Sequence, residues 1–379
     1  MNPVESAGPA RGGERPNVHG LTPEALAAHL AEVGCTLAHA RSLITRVLSH
    51  PPGSKGRTPA HEKVPARVRA AFHERIDHAG LELVEEVTDP ADGFVKLLLR
   101  SPDGALSEAV RIPLEKEGAF TVCLSSQVGC AMGCTFCATG RLGLRRQLET
   151  WEIVAAFCAV RDRLPEGARL TGAVFMGQGE PLHNYDRVLA AAAILSSPNG
   201  GRLRAENISI STVGLVPAIR RYTAEGHRYR LVVSLTSAIS SRRASLLPVT
   251  RRYDLPELAD AIRAHAIARG ERVTLAWVLI GGLNDGVDEV QALRELLGDT
   301  PYKLNLIDVN SDEPDYPRTS PEGLGRFRDA LRSLGVPVVR RYSGGQNRDA
   351  ACGMLAARAF ASEVPAGTPI AHRDGAATV

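Results

Sequence analysis

The most informative segment of the chain reads Ser126-Gln-Val-Gly-Cys-Ala-Met-Gly-Cys-Thr-Phe-Cys-Ala-Thr-Gly140. Its cysteines, Cys130, Cys134 and Cys137, have the spacing CxxxCxxC. A cube of four irons and four sulfides needs four protein ligands, so three thiolates leave one iron open to bind another molecule. The spacing therefore predicts a [4Fe-4S] centre with an open iron. Because such a centre is oxygen-sensitive, we expect a protein of the reducing cytoplasm.

Structural zinc sites and disulfides are the other common uses of cysteines in proteins. A structural zinc site takes four ligands, usually two pairs of cysteines or one pair with histidines, and no histidine follows Cys137 before His183. A disulfide framework is disfavoured, because the 379 residues contain only seven cysteines, an odd number. Zinc or purely structural thiols therefore stay open as the alternative.

Composition predicts a globular protein. With 379 residues and 44% hydrophobic content, the chain can bury a large core, and its length allows about two domains. Neither a signal peptide nor an apolar run long enough to cross a bilayer is evident, so we expect no membrane contact. The formal charge of +3 does not indicate whether the protein binds nucleic acid.

Arginine is strongly preferred over lysine, since 40 of the 45 basic residues are arginines. Five doublets occur, at Arg145/Arg146, Arg220/Arg221, Arg242/Arg243, Arg251/Arg252 and Arg340/Arg341. Guanidinium groups bind phosphate through paired hydrogen bonds, although a bias towards arginine can equally reflect genome composition. The doublets and the N-terminal helices are therefore candidates for contacts with phosphate.

Patterning divides the chain into four segments. We predict mobile tails at residues 1–18 and 363–379, an N-terminal accessory domain at 19–113, and a main domain at 114–362. In the accessory domain, Thr22 and Pro23 predict the start of a helix, a second amphipathic helix follows, and three short apolar runs predict a small antiparallel sheet.

From Phe120 onward, strand-like runs alternate with helical stretches. The six runs lie near residues 120–125, 171–176, 207–212, 229–236, 272–280 and 302–308. This repetition predicts an α/β fold, and six units suit a partial (β/α)6 barrel better than a doubly wound sheet. Strand parity agrees, because Ile208 and Ile210 oppose Ser209 and Ser211, which gives one apolar face and one polar face towards a cavity. Cys123 falls on the cavity side of its strand.

Two further motifs carry chemistry. Met176-Gly-Gln-Gly-Glu-Pro181 directly follows the second strand, where its glycines let backbone approach a ligand and Glu180 can pair with an amino group. Near the other end, Cys352 lies in a glycine-rich loop after the last strand, Val336–Tyr342, a setting that favours a reactive thiol. Cys35 and Cys158, in apolar helical surroundings, read as packing residues.

These residues resemble the RlmN/Cfr family of radical S-adenosylmethionine (SAM) RNA methyltransferases over about residues 21–357. The matching elements are Cys123-Leu-Ser-Ser-Gln-Val-Gly-Cys130 with the cysteine triplet, Gly177-Gln-Gly-Glu-Pro-Leu-His-Asn184, Ser211-Thr-Val-Gly-Leu-Val-Pro217 and Asp349-Ala-Ala-Cys-Gly353. The resemblance implies the partial barrel of the radical SAM type, a [4Fe-4S] cluster on Cys130, Cys134 and Cys137, and two SAM molecules per turnover.

The resemblance also assigns the other site residues. Cys352 takes a methyl group from one SAM, the radical formed from a second SAM activates that methyl group, Cys123 resolves the covalent intermediate through a disulfide, and Glu108 is the base. The implied SAM contacts are Gly179, Glu180, Ser211, Ser234, Leu235, Thr236 and Asn310. The chain departs from the family at Thr236, where histidine is usual, at Asp308-Val-Asn-Ser311, and in the loop before Cys352, which is about one residue longer.

The expected function is methylation of carbon 2 of an adenosine in 23S rRNA, tRNA or both, by a monomer that receives electrons from a flavodoxin or ferredoxin. Three alternatives stay open. These are methylation at carbon 8, radical SAM chemistry on a small molecule, and a non-enzymatic RNA-binding module whose triplet belongs to a structural metal site.

Overall fold

The computed structural model of the protein describes residues 15–49, 63–311, 313–341, 344 and 353–355. The predicted tail 363–379, most of the predicted tail 1–18, and Cys352 therefore lie outside the described residues. Packing is already established at Asn17 and Val18, which composition assigned to the first tail. Val18 is fully buried, and Asn17 Nδ2 donates to Asp77 Oδ2 over 2.9 Å.

Three helices open the described chain. They are α1 (Pro23–His29), α2 (Leu37–Ser49) and α3 (Ala66–Arg75). The predicted start of the first helix is confirmed, because Thr22 Oγ1 accepts a hydrogen bond from Ala25 N at 3.2 Å and Pro23 occupies the first turn. Gly34 closes the short 3-10 turn that follows α1, with φ of 72°.

The predicted antiparallel strands form, but they belong to the main sheet. Strands β1 (Glu82–Thr88), β2 (Val95–Arg100) and β3 (Leu106–Pro113) pair in sequence order, and β3 pairs antiparallel with β4 (Ala119–Leu124). Val110 of β3 stands directly opposite Cys123 of β4. The accessory strands therefore extend the main sheet at its β4 edge, which periodicity along one strand cannot reveal.

The chain between β4 and the next parallel strand forms a hairpin and two helices. These are β5 (Gln127–Gly129), α4 (Ala138–Arg141), β6 (Leu144–Gln147) and α5 (Thr150–Arg161). Strand and helix then alternate as β7 (Arg169–Phe175), α6 (Tyr185–Ser196), β8 (Ile208–Thr212), α7 (Val216–Ala224), β9 (Arg230–Ser234), α8 (Ser240–Leu246), α9 (Leu255–Arg269), β10 (Val273–Leu279), α10 (Val287–Leu297), β11 (Tyr302–Asp308), α11 (Pro321–Arg332) and β12 (Val338–Arg341).

The ten-stranded sheet runs β1-β2-β3-β4-β7-β8-β9-β10-β11-β12, with every pair from β4 onward parallel. It is strongly curved. Met176, directly after β7, has its Sδ 3.3 Å from Arg341 Nη1 in β12, although five strand spacings of about 4.8 Å would separate these strands by about 24 Å in a flat sheet. The partial (β/α)6 barrel predicted from the sequence is thereby confirmed.

Strand parity sorts the two faces as predicted. Ile208 and Ile210 are fully buried in the core formed with the helices, whereas Ser209 and Ser211 on the inner face are partly exposed. The inner face thus stays polar near the carboxyl ends of the strands, where a charged ligand can bind. None of the helices in the described ranges is long and apolar enough to cross a membrane.

Candidate active site

The three cysteines of the triplet lie on one loop held between β5 and α4. Cys130 follows Gly129, the last residue of β5, and its N–H donates to Gly143 O at 2.9 Å. Gly129 has φ of 78°, and a Cβ there would lie 1.9 Å from Gly143 O. Only glycine therefore lets the hairpin close at the base of this loop.

The thiols of the loop are sheltered from solvent. Cys130 and Cys134 are each 8% exposed, and Cys137 is partly exposed. Burial raises the pKa of Cys130 to about 12 and that of Cys134 well above its usual value, and the neighbouring thiols add to both shifts. Because a bound metal needs thiolates, binding must displace these protons.

The donor set fits an iron-sulfur cube better than a single ion. In a cube, each cysteine binds a different iron, so the three thiolates stand around the cluster and apart from one another. Three cysteines on one loop, with a fourth position left to another ligand, match the requirement of a [4Fe-4S] cluster that binds SAM.

The loop after β7 places a buried carboxyl group at the rim of the barrel. Glu180 is 2% exposed, and its carboxylate accepts hydrogen bonds from Leu182 N at 3.0 Å and Val213 N at 2.8 Å. Burial raises the pKa of Glu180 to about 7, and these backbone donors oppose the rise. A carboxylate offers about four acceptor positions, so capacity remains for the amino group of a ligand.

Gly179 fits this loop only because it lacks a side chain. Its φ is 98°, and a Cβ would lie 2.5 Å from Gln127 Cβ. The side chain of Gln127 cannot simply move away, since Gln127 Oε1 accepts from Glu180 N at 2.8 Å. Close packing of the loop therefore fixes the backbone on which Glu180 is presented.

Gly179→Ala is expected to weaken SAM binding at least about fivefold, because strain of about 1–3 kcal/mol must be relieved by moving the loop. Binding of SAM to anaerobically reconstituted protein measures the effect. The matched control is Gly282→Ala, where φ is 74° but nothing lies within 4 Å of the added Cβ. Equal losses in both variants would show that backbone strain alone, not the contact with Gln127, is responsible.

The other predicted SAM contacts follow neighbouring strands. Ser211 and Ser234 lie at the ends of β8 and β9 and are partly exposed, and Asn310 follows β11 and is 6% exposed. Because parallel strands end at one edge, these side chains share the rim with Glu180. Leu235 differs, since its side chain is fully buried in the core, its N–H donates to Ala276 O and its carbonyl accepts from an arginine. Its contact with SAM stays a prediction.

Thr236 has the most unusual backbone of the site. It is a β-branched residue with φ of 61°, and it is fully buried. Asn284 Nδ2 holds the Thr236 carbonyl at 2.6 Å. The hydroxyl oxygen of Thr236 is buried with no hydrogen-bond partner in the described residues, as is Oε1 of Gln178 in the loop after β7. Strain and unpaired buried polar atoms at one rim are typical of a ligand site, which fits a SAM molecule here.

Arg243 joins the loops of this rim, a role that sequence reasoning missed. Its side chain is fully buried. The guanidinium donates hydrogen bonds to the carbonyls of Val213 at 2.6 Å, Leu235 at 3.1 Å and Ser234 at 3.2 Å, and to Thr250 Oγ1. Burial lowers the pKa of Arg243 to about 10, which still leaves it charged at neutral pH. One cation therefore fixes the segments after β8 and β9. The only signal in the sequence was its place in an arginine doublet.

The segment Gly353–Leu355 is anchored to the cluster loop. Ala138 N donates to Gly353 O at 2.8 Å, and Thr139 Oγ1 donates to Leu355 O at 3.0 Å. The side chain of Leu355 is 3% exposed and belongs to a small apolar cluster with Cys123. Cys352 itself lies outside the described residues, but the residue that follows it in the chain is bound beside the cysteine triplet.

Glu108 and Cys123 lie on the same inner face, as expected for two residues that share one site. Cys123 is 5% exposed and stands opposite Val110, two residues from Glu108 along β3. Glu108 is 3% exposed, and its carboxylate pairs with Lys96. The described cysteines form no disulfide with one another.

Comparison with known proteins identifies the family of this chain. The radical SAM superfamily matches residues 124–297. A protein of Anaeromyxobacter sp. (strain Fw109-5), named "Probable RNA methyltransferase", is 54% identical over 72% of this chain and 80% of its own length. The "Dual-specificity RNA methyltransferase RlmN" of Anaeromyxobacter dehalogenans (strain 2CP-C) is 39% identical over 80% of this chain and 86% of its own. The chain belongs to the RlmN/Cfr family of radical SAM RNA methyltransferases.

A solved structure supports the family assignment. The crystal structure of a radical SAM methyltransferase from Sphaerobacter thermophilus superimposes with a TM-score of 0.82 at 37% identity, covering 90% of this chain and 99% of that one. The shared architecture therefore extends over most of the chain. The family resemblance inferred from the motifs is therefore confirmed.

In this RlmN/Cfr family member, several of the doublet arginines that are candidates for phosphate contacts are already engaged in ion pairs. Four of the doublet arginines form ion pairs: Arg146 with Asp103 and Glu152, Arg221 with Asp186 and Glu225, Arg242 with Asp288 and Glu289, and Arg340 with Asp308. Arg220 and Arg251 are exposed. Arg251 ends the 3-10 helix Pro248–Arg251, whose Val249 packs in the apolar cluster around Cys134. Arg251 is thus an exposed doublet residue on a segment that packs beside the cysteine triplet.

Proposed function

We propose that this protein methylates carbon 2 of an adenosine in 23S rRNA, tRNA or both, through a methyl group carried on Cys352. The observation that carries the proposal is the anchoring of Gly353–Leu355. This segment is hydrogen-bonded to Ala138 and Thr139 directly after the cysteine triplet, while Leu355 packs with Cys123. Gly353, the residue that follows Cys352, therefore lies between the cluster loop and the inner face that holds Glu108.

Cys130, Cys134 and Cys137 would hold the cluster, which would supply the electron for reductive cleavage of SAM. A radical route is required because carbon 2 of adenine is an electron-poor ring carbon that does not attack a methyl donor. In this proposal, Glu180 and the rim residues orient SAM, and the thiolate of Cys352 first accepts a methyl group from another SAM. The electron donor is a flavodoxin or ferredoxin, and the enzyme acts as a monomer.

Release of the product needs two groups on the inner face. The radical adduct formed when the carbon carried on Cys352 bonds to adenine must lose one electron, which the oxidised cluster would take back, and Glu108 removes the proton from the substituted ring carbon. The thiolate of Cys123 then attacks Sγ of Cys352, so a disulfide forms, the sulfur–carbon bond breaks, and its electron pair takes up a proton to complete the methyl group. An external thiol reductant restores both cysteines before the next turnover.

The experiment that tests the function combines reconstituted enzyme, SAM, reductant and RNA, followed by mass spectrometry of the nucleosides. We expect 2-methyladenosine, together with one S-adenosylhomocysteine and one 5'-deoxyadenosine per methyl group. Chromatography against both standards separates carbon 2 from carbon 8, and transcripts of rRNA and tRNA offered separately identify the substrate. Absence of any methyladenosine from both RNAs would contradict the proposal and leave small-molecule radical chemistry as the alternative.

Binding of SAM is expected to tighten as the pH rises through about 7. The pKa of Glu180 is raised to about 7 by burial, and only the ionised carboxylate is a full acceptor for the amino group of SAM. A ligand that favours the ionised form drives proton release, so affinity increases with pH until the group is ionised.

Anaerobic calorimetry in two buffers at about pH 6 and about pH 8 measures this linkage. Glu180→Gln should bind SAM more weakly and should lack the proton release that Glu180 contributes at the lower pH. Taking the difference between wild type and variant removes the titration of SAM itself. Identical proton release from the two proteins would contradict the pairing.

A further inference from the structure

A buried ion pair lies beside the inner-face cysteine. Lys96 Nζ is 3.5 Å from Glu108 Oε1, and the two residues are 8% and 3% exposed. In the sheet, Lys96 stands opposite Val110, which in turn stands opposite Cys123. Lys96, Val110 and Cys123 therefore form one row across β2, β3 and β4, with Glu108 in the next row on the same face.

Gln178 holds the same carboxylate from the rim. Its Nε2 is 3.4 Å from Glu108 Oε2, and its side chain is 1% exposed. Ser125 adds a second link, because Ser125 Oγ donates to Glu108 O at 2.6 Å and accepts from Gln178 N at 3.0 Å. An ionised carboxylate only accepts hydrogen bonds, so the amide of Gln178 must turn its NH₂ group towards Glu108.

This arrangement is costly if its purpose is stability alone. A buried ion pair commonly stabilises a fold no more than well-packed apolar residues of similar size. Phe94, Val110 and Val174 on the same face show that apolar packing is available here. Placement of a lysine, a glutamate and a glutamine beside Cys123 therefore points to a requirement of the reaction.

We propose that Lys96 and Gln178 are positioning residues that keep Glu108 ionised and orient its carboxylate towards the substrate carbon. The inference rests on the proposed function of Glu108 as the base. Lys96 supplies the positive charge that favours the carboxylate, and Gln178 couples the orientation of that carboxylate to the loop that carries Glu180. Within the part of the chain that the structure describes, the ionisable side chains that share this face on the adjoining strands are Lys96 on β2 and Cys123 on β4.

The test follows release of methylated RNA from the covalent protein–RNA intermediate in a single turnover, measured across a range of pH. Lys96→Met keeps the buried stem but removes the charge, so release should slow at least about tenfold at neutral pH. Because the carboxylate is then protonated more easily, the acid limb of the pH–rate profile should move to higher pH. Lys96→Arg should restore part of the rate, and the exposed Lys116→Met serves as the matched control.

A double-mutant cycle separates positioning from a general structural effect. Glu108→Gln alone should slow release by about a hundredfold or more, and adding Lys96→Met to it should slow release no further. If Glu108→Gln slows release while Lys96→Met leaves the rate and the pH profile unchanged, or slows both backgrounds alike, the positioning role is overturned and the proposed function survives. If Glu108→Gln releases product at the wild-type rate, the assignment of the base itself fails.

Discussion

Replacing Cys352 with alanine is expected to lower RNA methylation at least about a thousandfold, while cleavage of SAM to 5'-deoxyadenosine remains measurable. In the proposed mechanism, the methyl group is carried on this thiol before it reaches adenine, whereas three other cysteines would hold the cluster. Nucleoside mass spectrometry and quantification of 5'-deoxyadenosine in the same reaction measure the two steps separately.

The matched control is Cys158→Ala. Cys158 is buried in α5, and burial raises the pKa of its thiol to about 11, so it is a packing residue without a reactive thiolate. This variant should methylate RNA normally. Product formation by Cys352→Ala at the wild-type rate would refute the carrier mechanism and favour radical chemistry that needs no protein thiol.

Arg243→Met is expected to destabilise the fold by at least about 3 kcal/mol and to abolish measurable SAM binding. The substitution leaves the buried carbonyls of Val213, Ser234 and Leu235 without their shared donor. Those carbonyls belong to the segments after β8 and β9, which also carry Thr236. Loss of this guanidinium therefore removes the hydrogen bonds that hold the segments after β8 and β9 in place.

Anaerobic denaturant unfolding and SAM binding give the two readings. Arg220→Met, on the exposed surface of α7, should change the free energy of unfolding by no more than about 0.5 kcal/mol. If Arg243→Met retained both stability and SAM affinity, the rim would not depend on this guanidinium, and our account of how its loops are joined would be wrong.

Local pattern was enough to predict the parts of the fold that depend on one strand or one helix. Alternation at Ile208–Ser211 identified the inner and outer faces of β8, and Thr22 with Pro23 identified the start of α1. The triplet spacing located the cluster loop, and the glycine-rich run after β7 located the rim that carries Glu180. Each of these features is encoded by residues close together in the chain.

Features that depend on distant parts of the chain could not be predicted in this way. The three accessory strands show the same periodicity whether they form a separate sheet or join β4, because pairing across β3 and β4 leaves no mark within either strand. The sequence did not reveal that Arg243 is buried, because its carbonyl partners lie up to 30 residues away along the chain. The pairing of Lys96 with Glu108 is likewise visible only once β2 and β3 are in register.

The most direct test of the central claim is electron paramagnetic resonance of the reduced, anaerobically prepared protein with and without SAM. We expect about four irons per chain, the signal of a reduced [4Fe-4S] cluster, and a change in that signal when SAM binds the open iron. Alanine at Cys130, Cys134 and Cys137 should remove the signal. Zinc in place of iron, or a cluster signal that SAM does not alter, would contradict the account.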